Sequence, residues 1–326
     1  MHRASIVIVT PALAEANNGN WQTASRWARL LAPAYRVTLA STWQGGDADL
    51  LIALHARRSA ASIAAWRQAH PTRALLLALT GTDLYRDIDH DADAQASLHS
   101  ADGLIVLNEL GALRLPAAHR AKCHVVLQSC SARRTLAKTA RHLGVLMVGH
   151  LRDEKDPLTY LRAAQRLAGR NDIYFDHVGA PLDAALGAQA AALAARQPSY
   201  RWLGALPHAS VRRRIQTAHV LVHASRMEGG AHVVIEALRS GTPVIASNID
   251  GNLGLLGSDH GGLFPVGDDA ALAALLERAR DDAAMLAALQ RQGDLRAPLF
   301  TPQAEAAALH RIVAGLLDRT TPETPS

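Results

Sequence analysis

Cysteine is almost missing from the chain: Cys123 and Cys130 are the only two in 326 residues. Two thiols cannot staple a secreted scaffold. They read as reduced, packed side chains of a cytoplasmic protein, and Cys130 as a packing residue rather than a nucleophile. Aromatics are scarce, at 4%. No Lys/Arg block, zinc-finger spacing or RNA-binding aromatic motif occurs, so the net charge of +5 and the pI of about 9.6 point to small anionic substrates and away from nucleic acid. No apolar run is long enough to cross a bilayer, which argues against a membrane partner. The opening MHRASIVIVTPALA imitates a signal peptide in its basic start and Ala-Leu-Ala end. Its apolar run is short and β-branched, which fits a buried first strand better. No G-x-G-x-x-G follows that strand, against a dinucleotide oxidoreductase.

What is present is 49% apolar residues and enough length for two ordinary domains. Strand-like runs at 6–10, 37–41, 50–54, 75–79, 104–107 and 125–127 alternate with helical patterns. That is the signature of a doubly wound α/β domain. A helix is expected over 21–32 and another from an N-cap at Ser59. Residues 129–143 carry no strand pattern and read as a linker. A second series of strands follows at 145–149, 173–178, 200–203 and 219–223, with helices at 272–280 and 302–317. The domains predicted are 1–140 and 141–300, each Rossmann-like, then a helix at 301–318 and a polar, disordered tail at 319–326. The D-x-D pairs Asp87-Ile88-Asp89 and Asp91-Ala92-Asp93 lie in a polar segment and read as solvated, with no metal site.

The densest chemistry lies in residues 225–251, SRMEGGAHVVIEALRSGTPVIASNIDG. Glu228 precedes Gly229-Gly230, where a helix should begin, and Glu236 lies eight positions later inside it. On a helical rise the two carboxylates would stand about 12 Å apart. That matches the span from sugar to ribose in a nucleotide-sugar. Free N–H groups at the helix start, around Gly229, Gly230 and Ala231, suit the diphosphate between them.

The order Glu228, Glu236, Gly241-Thr242-Pro243-Val244, then a strand and Asp250-Gly251-Asn252, resembles the family-four retaining glycosyltransferases. The resemblance implies the GT-B fold, an α/β architecture of two Rossmann-like, doubly wound domains facing a central cleft. It also implies a metal-independent hexosyltransferase that uses a UDP-sugar as substrate and needs no cofactor. Gly149-His150-Leu151-Arg152-Asp153-Glu154-Lys155-Asp156 resembles the family's phosphate turn. Lys155 matches its lysine, His150 stands where the family has arginine, Asp156 where it has glycine, and Arg152 can supply the missing charge. The turn with Gly204 and Leu206 resembles the base pocket, and Gly251 and Asn252 belong to the donor side. Asn18, Gly19 and Asn20 resemble the family's loop after the first strand. Thr82 and Asp83 match its acceptor-side segment, and Arg57, Arg58 and Arg86 are expected to grip an anionic acceptor. Glu228, Lys155, Arg152 and His55 are the expected catalytic group.

Several stretches, among them ANNGNWQTA, LTGTDLYRDI, VGHLRDEKDP and SRMEGGAHVVIEAL, resemble selenosugar synthases of selenoneine biosynthesis. That resemblance implies a selenophosphate acceptor and a new carbon–selenium bond. The residues by themselves leave two other readings open. One is a small-acceptor transferase making a thioglycoside or O-glycoside. The other is a non-catalytic module binding nucleotide-sugar or polyanion.

Overall fold

The computed structural model of the chain describes residues 3–11 and 19–320. The chain divides into two compact units, Met1–Ser129 with Thr301–Ser326, and Cys130–Phe300.

The first unit is built on six strands: β1 (Ser5–Val9), β2 (Arg36–Ala40), β3 (Leu50–Leu54), β4 (Ala74–Leu79), β5 (Gly103–Val106) and β6 (Cys123–Val125). They lie in the order β2-β1-β3-β4-β5-β6, every neighbour parallel. Strands β3 and β4, LLIAL and ALLLAL, are buried at every position, as a parallel sheet covered on both faces requires. Alternate residues serve opposite cores. Leu50, Ile52 and Leu54 pack with Ile6, Ile8 and Trp27, whereas Leu51 and Ala53 pack with Val9, Trp66 and Leu75. The helix Pro302–Thr320 completes the first of these cores with Leu309, Ile312, Val313 and Leu316, one apolar stripe at helical spacing. Buried Glu305 fastens it, accepting hydrogen bonds from Arg26 Nε at 3.0 Å, Trp27 Nε1 at 2.8 Å and the Ser129 amide at 2.8 Å. Arg319 and Thr320 therefore belong to this helix rather than to a tail, and residues 321–326 lie outside the described residues.

The second unit carries β7 (Leu143–Val148), β8 (Ile173–Val178), β9 (Tyr200–Trp202), β10 (Val220–His223), β11 (Val244–Ser247) and β12 (Leu263–Phe264). Their order is β12-β11-β10-β7-β8-β9, again all parallel. Both sheets are thus doubly wound. The direction of winding reverses between β1 and β3 in one and between β7 and β10 in the other. At such a reversal the loops beyond the strand ends part and leave a crevice.

Local departures from the sequence reading have physical causes. Ser59 holds the N-cap position of the helix Ala60–Ala69, but its hydroxyl donates to the Leu54 carbonyl at 2.6 Å and caps nothing. The helix expected at Gly229 begins at His232 and ends at Leu238, so Glu228 sits in a loop ahead of it and the two acids do not share one helical rise. Asp87 is buried, not solvated, because Arg57 Nε (3.1 Å) and Arg86 Nε (3.1 Å) both neutralise it. Asp91 caps the helix Ala92–Ser100 through the Ala94 amide. An unforeseen helix, Ala283–Arg296, has no clean apolar stripe and buries only Met285, Leu289 and Gly293.

Candidate active site

In the second unit the loops after β7 and β10 meet at the reversal point. Lys155 ends the turn that follows β7, and its Nζ donates to Glu228 Oε1 in the loop after β10. Ser225 Oγ donates to the same oxygen at 2.8 Å, and His223 Nε2 lies 3.4 Å from it. Behind them a buried chain of hydrogen bonds holds the loop. His223 Nδ1 faces Asn252 Oδ1 at 2.8 Å, and Asn252 Nδ2 donates to the Ser247 carbonyl at 2.9 Å. Burial alone would raise the pKa of Glu228. The Lys155 charge and the His223 contact outweigh it and carry the carboxyl well below its ordinary value. The site therefore holds a fixed carboxylate beside a fixed ammonium.

Gly251 makes this placement possible. A Cβ there would fall 2.1 Å from the Glu228 carbonyl oxygen, so only glycine lets that loop run against the start of the helix Asp250–Leu256. Asp156 replaces a glycine at a left-handed position, φ 45 and ψ 56, which aspartate tolerates better than most residues. Its carboxylate makes the exchange useful: it accepts from Thr159 Oγ1 at 2.7 Å and pairs with Arg226 Nη2 at 3.2 Å. Pro157 then opens the helix Pro157–Arg166 at the position that suits it.

His150 is exposed, and its Nδ1 accepts the Ala180 amide at 3.1 Å. Although the residue is exposed overall, partial desolvation of the ring, with Arg152 and Lys155 nearby, lowers its pKa, so the imidazole is neutral and its proton sits on Nε2. Arg152 is exposed, its nearest acid Glu154 at 3.9 Å. Gly204 takes a left-handed φ of 65 in the turn after β9, with Leu206 partly exposed two residues on. Gly229 and Ala231 are buried and Gly230 partly so, in the loop before the helix His232–Leu238. Inside that helix Glu236 is buried. His208 Nε2 lies 2.6 Å from its Oε1, and His232 Nδ1 and Arg212 Nη1 lie 3.4 and 3.8 Å from the same atom. Burial raises the Glu236 pKa, and the two imidazoles reverse that and bring it down to about 2.

The first unit gathers a second cluster at its own reversal point. His55 follows β3 with a φ of 73, a strained conformation for a side chain-bearing residue. Its Nε2 lies 3.1 Å from Thr82 Oγ1, and its Nδ1 accepts the Arg58 amide at 3.4 Å. Burial lowers its pKa and keeps it neutral. Asp83 is fully buried and spends its oxygens on the amides of Ala56 (3.0 Å), Thr80 (2.9 Å) and Gly81 (2.8 Å), so it ties two loops together. Arg57 and Arg86 share Asp87, whereas exposed Arg58 has no ion pair among the described residues. Gly19 and Asn20 open the helix Gly19–Leu31, and Asn18 lies outside the described residues.

Sequence reasoning overlooked His223, Ser225, His208 and Arg212. His223 carries a usable signal, being the last residue of a strand at a reversal point. His208 carries none, since its partner is distant in sequence. Among the described residues no three His, Cys, Asp or Glu side chains converge so as to hold a metal ion, and no helix is long and apolar enough to cross a membrane.

Residues 132–296, just over half of the chain, match the family model for glycosyl transferases group 1. No curated protein matches the chain in sequence. Among solved structures it is similar to sucrose-phosphate synthase from Thermosynechococcus elongatus, with a TM-score of 0.78 and 18% identity over 97% of this chain and 100% of that one. HepE from Anabaena in complex with UDP-glucose gives a TM-score of 0.76 and 13% identity, covering 95% and 99%. A TarM mutant from S. aureus, in complex with fondaparinux, α-GlcNAc-glycerol and UDP, gives 0.66 and 12%; the match spans 82% of this chain and only 55% of TarM. Those likenesses are of fold.

Proposed function

The chain belongs to the group 1 glycosyl transferases, with their GT-B fold, and from that premise we propose that it transfers a sugar from a UDP-sugar to selenophosphate, making a selenosugar for selenoneine biosynthesis. In this reading the bond from the anomeric carbon to the diphosphate oxygen breaks, a carbon–selenium bond forms with the phosphoryl group still on selenium, and UDP leaves with the electron pair. Water then cleaves the selenium–phosphorus bond, releasing phosphate and the selenosugar. The observation that carries the donor half is the Lys155–Glu228 pair at the reversal point of the second sheet, with ionised Glu236 in the next helix. The UDP and UDP-glucose found with TarM and HepE support the choice of nucleotide. The acceptor half rests on the sequence resemblance to selenosugar synthases.

The roles follow from charge. Lys155 and Arg152 stabilise the negative charge that grows on the departing diphosphate, together with the amides of Gly229, Gly230 and Ala231. Glu228, held by Lys155, Ser225 and His223, orients the sugar hydroxyls. Glu236 receives the ribose, His150 completes the donor contacts, and the Gly204–Leu206 turn takes the base. Gly251 and Asn252, expected on the donor side, are buried behind Glu228 and hold its loop instead of touching the donor. An anionic selenium needs little general-base help, so neutral His55 positions acceptor or sugar rather than removing a proton. Arg58 is the cation most available for the acceptor's phosphate, with Arg57 and Arg86 beside Asp87 as its neighbours and Thr82 at the rim.

Purified protein mixed with UDP-sugars and selenophosphate, thiophosphate or a simple alcohol tests this by product mass. A selenosugar from selenophosphate alone is the expected result. Turnover only with thiophosphate or alcohol would move the acceptor assignment to the alternative small-acceptor transferases. Glu236→Ala is expected to raise the donor Kd at least about tenfold, the cost of one hydrogen bond to a charged group. An unchanged Kd by calorimetry removes Glu236 from the ribose.

A further inference from the structure

The surroundings of Glu236 are lopsided. A carboxylate oxygen has two lone-pair sites. Oε1 is approached by two imidazole nitrogens: His208 Nε2 at 2.6 Å, from the first residue of the helix His208–Thr217, and His232 Nδ1 at 3.4 Å, one turn before Glu236. Arg212, itself buried, adds its charge 3.8 Å from the same atom. Oε2 takes no hydrogen bond among the described residues. The carboxylate is nearly buried, while the His208 side chain is 71% exposed. His208 is thus a surface residue whose ring is committed to an interior oxygen. His208 hydrogen-bonds Oε1 and His232 Nδ1 stands within ion-pair distance of it, so two rings clamp one carboxylate oxygen.

We infer that His208 and His232 are positioning residues that saturate one oxygen of Glu236, fix the rotation of its carboxylate, and present the other oxygen as the single acceptor for the ribose hydroxyls. The inference rests on the assignment of Glu236 to the ribose and adds to it. The strictness with which the site selects a ribonucleotide over a deoxyribonucleotide is set by these two imidazoles. Without either ring the carboxylate rotates, both oxygens seek other donors, and the hydroxyl contact loses its fixed geometry.

Isothermal titration of the full chain with UDP and with 2′-deoxyuridine 5′-diphosphate tests this. The wild type is expected to prefer UDP about tenfold, the value of one charged hydrogen bond. His208→Ala and His232→Ala should each bring the preference within about threefold by weakening UDP and leaving the deoxy ligand unchanged. Damage to the fold would instead weaken both ligands alike. His208→Gln and His232→Asn, whose amide nitrogens reach the places of Nε2 and Nδ1, should restore the preference. If Glu236→Ala abolishes the preference and both histidine-to-alanine variants keep it, this inference fails and the ribose assignment stands. If the wild type shows no preference, or Glu236→Ala keeps it, the ribose assignment fails and takes the inference with it.

Discussion

Gly251 and Glu228 are far enough apart in sequence that nothing local links them, yet the carbonyl of one stands where the other would carry a Cβ. Gly251→Ala must push the Glu228 loop away by about an ångström or more. A catalytic group misplaced by that much costs on the order of 100-fold, so kcat/KM with UDP-sugar should fall by about that factor. The melting temperature of the variant distinguishes this from unfolding, because the loop can move without opening the core. His177 offers a second test at a single position. It is fully buried on β8 with its Nδ1 3.0 Å from the Tyr200 hydroxyl, and burial lowers its pKa to about 4. The unfolded chain takes up that proton near pH 6.5, the folded chain only near 4. Its contribution is therefore complete above pH 6.5 and is lost as pH falls toward 4, an effect on the order of 3 kcal/mol. His177→Phe should flatten that part of the stability–pH curve measured by denaturant titration.

At the scale of elements, the strands were the most legible part of the sequence. LLIAL and ALLLAL, short apolar runs bounded by polar residues, read as interior strands of a covered parallel sheet, and their ends fall where the apolar runs stop. Helix starts were harder. Gly229-Gly230 looks like a helix entrance, but the chain spends those residues on a loop that carries Glu228 to Lys155, and the helix waits until His232. The cost of an ion pair between residues 155 and 228 is not visible in either segment alone. The same holds for Asp83 and Asp87: each looks like a ligand for solvent or substrate, and each is buried by partners the sequence does not reveal. The helix Pro302–Thr320 gives the clearest prediction at this scale. Glu305→Ala removes the acceptor that half-buried Arg26, the buried Trp27 N–H and Ser129 share. The loss should be about 3 kcal/mol in urea unfolding, and an unchanged midpoint would remove Glu305 from its place as the fastener of that helix.

For the whole molecule, the legible facts were the family and the pairing of two doubly wound units, because glutamates, turns and strands come in a fixed order along the chain. What the order did not contain was the set of residues that hold those glutamates, which lie on other elements. The chemistry proposed uses side-chain cations and backbone amides for charge stabilisation, so turnover is expected to survive EDTA. Activity lost to the chelator and regained with magnesium would contradict that mechanism. Lys155 and Arg152 as the charge-bearing pair also imply that donor binding weakens as salt rises.

The first unit draws its core from both ends of the chain, with Ile6 and Leu316 in one cluster, while the second is drawn from a single unbroken stretch. On the ribosome, then, birth order and completion order are reversed. The later-made half has all its strands while the earlier-made one still lacks the helix that closes it, and must wait with Trp27 and its neighbours uncovered.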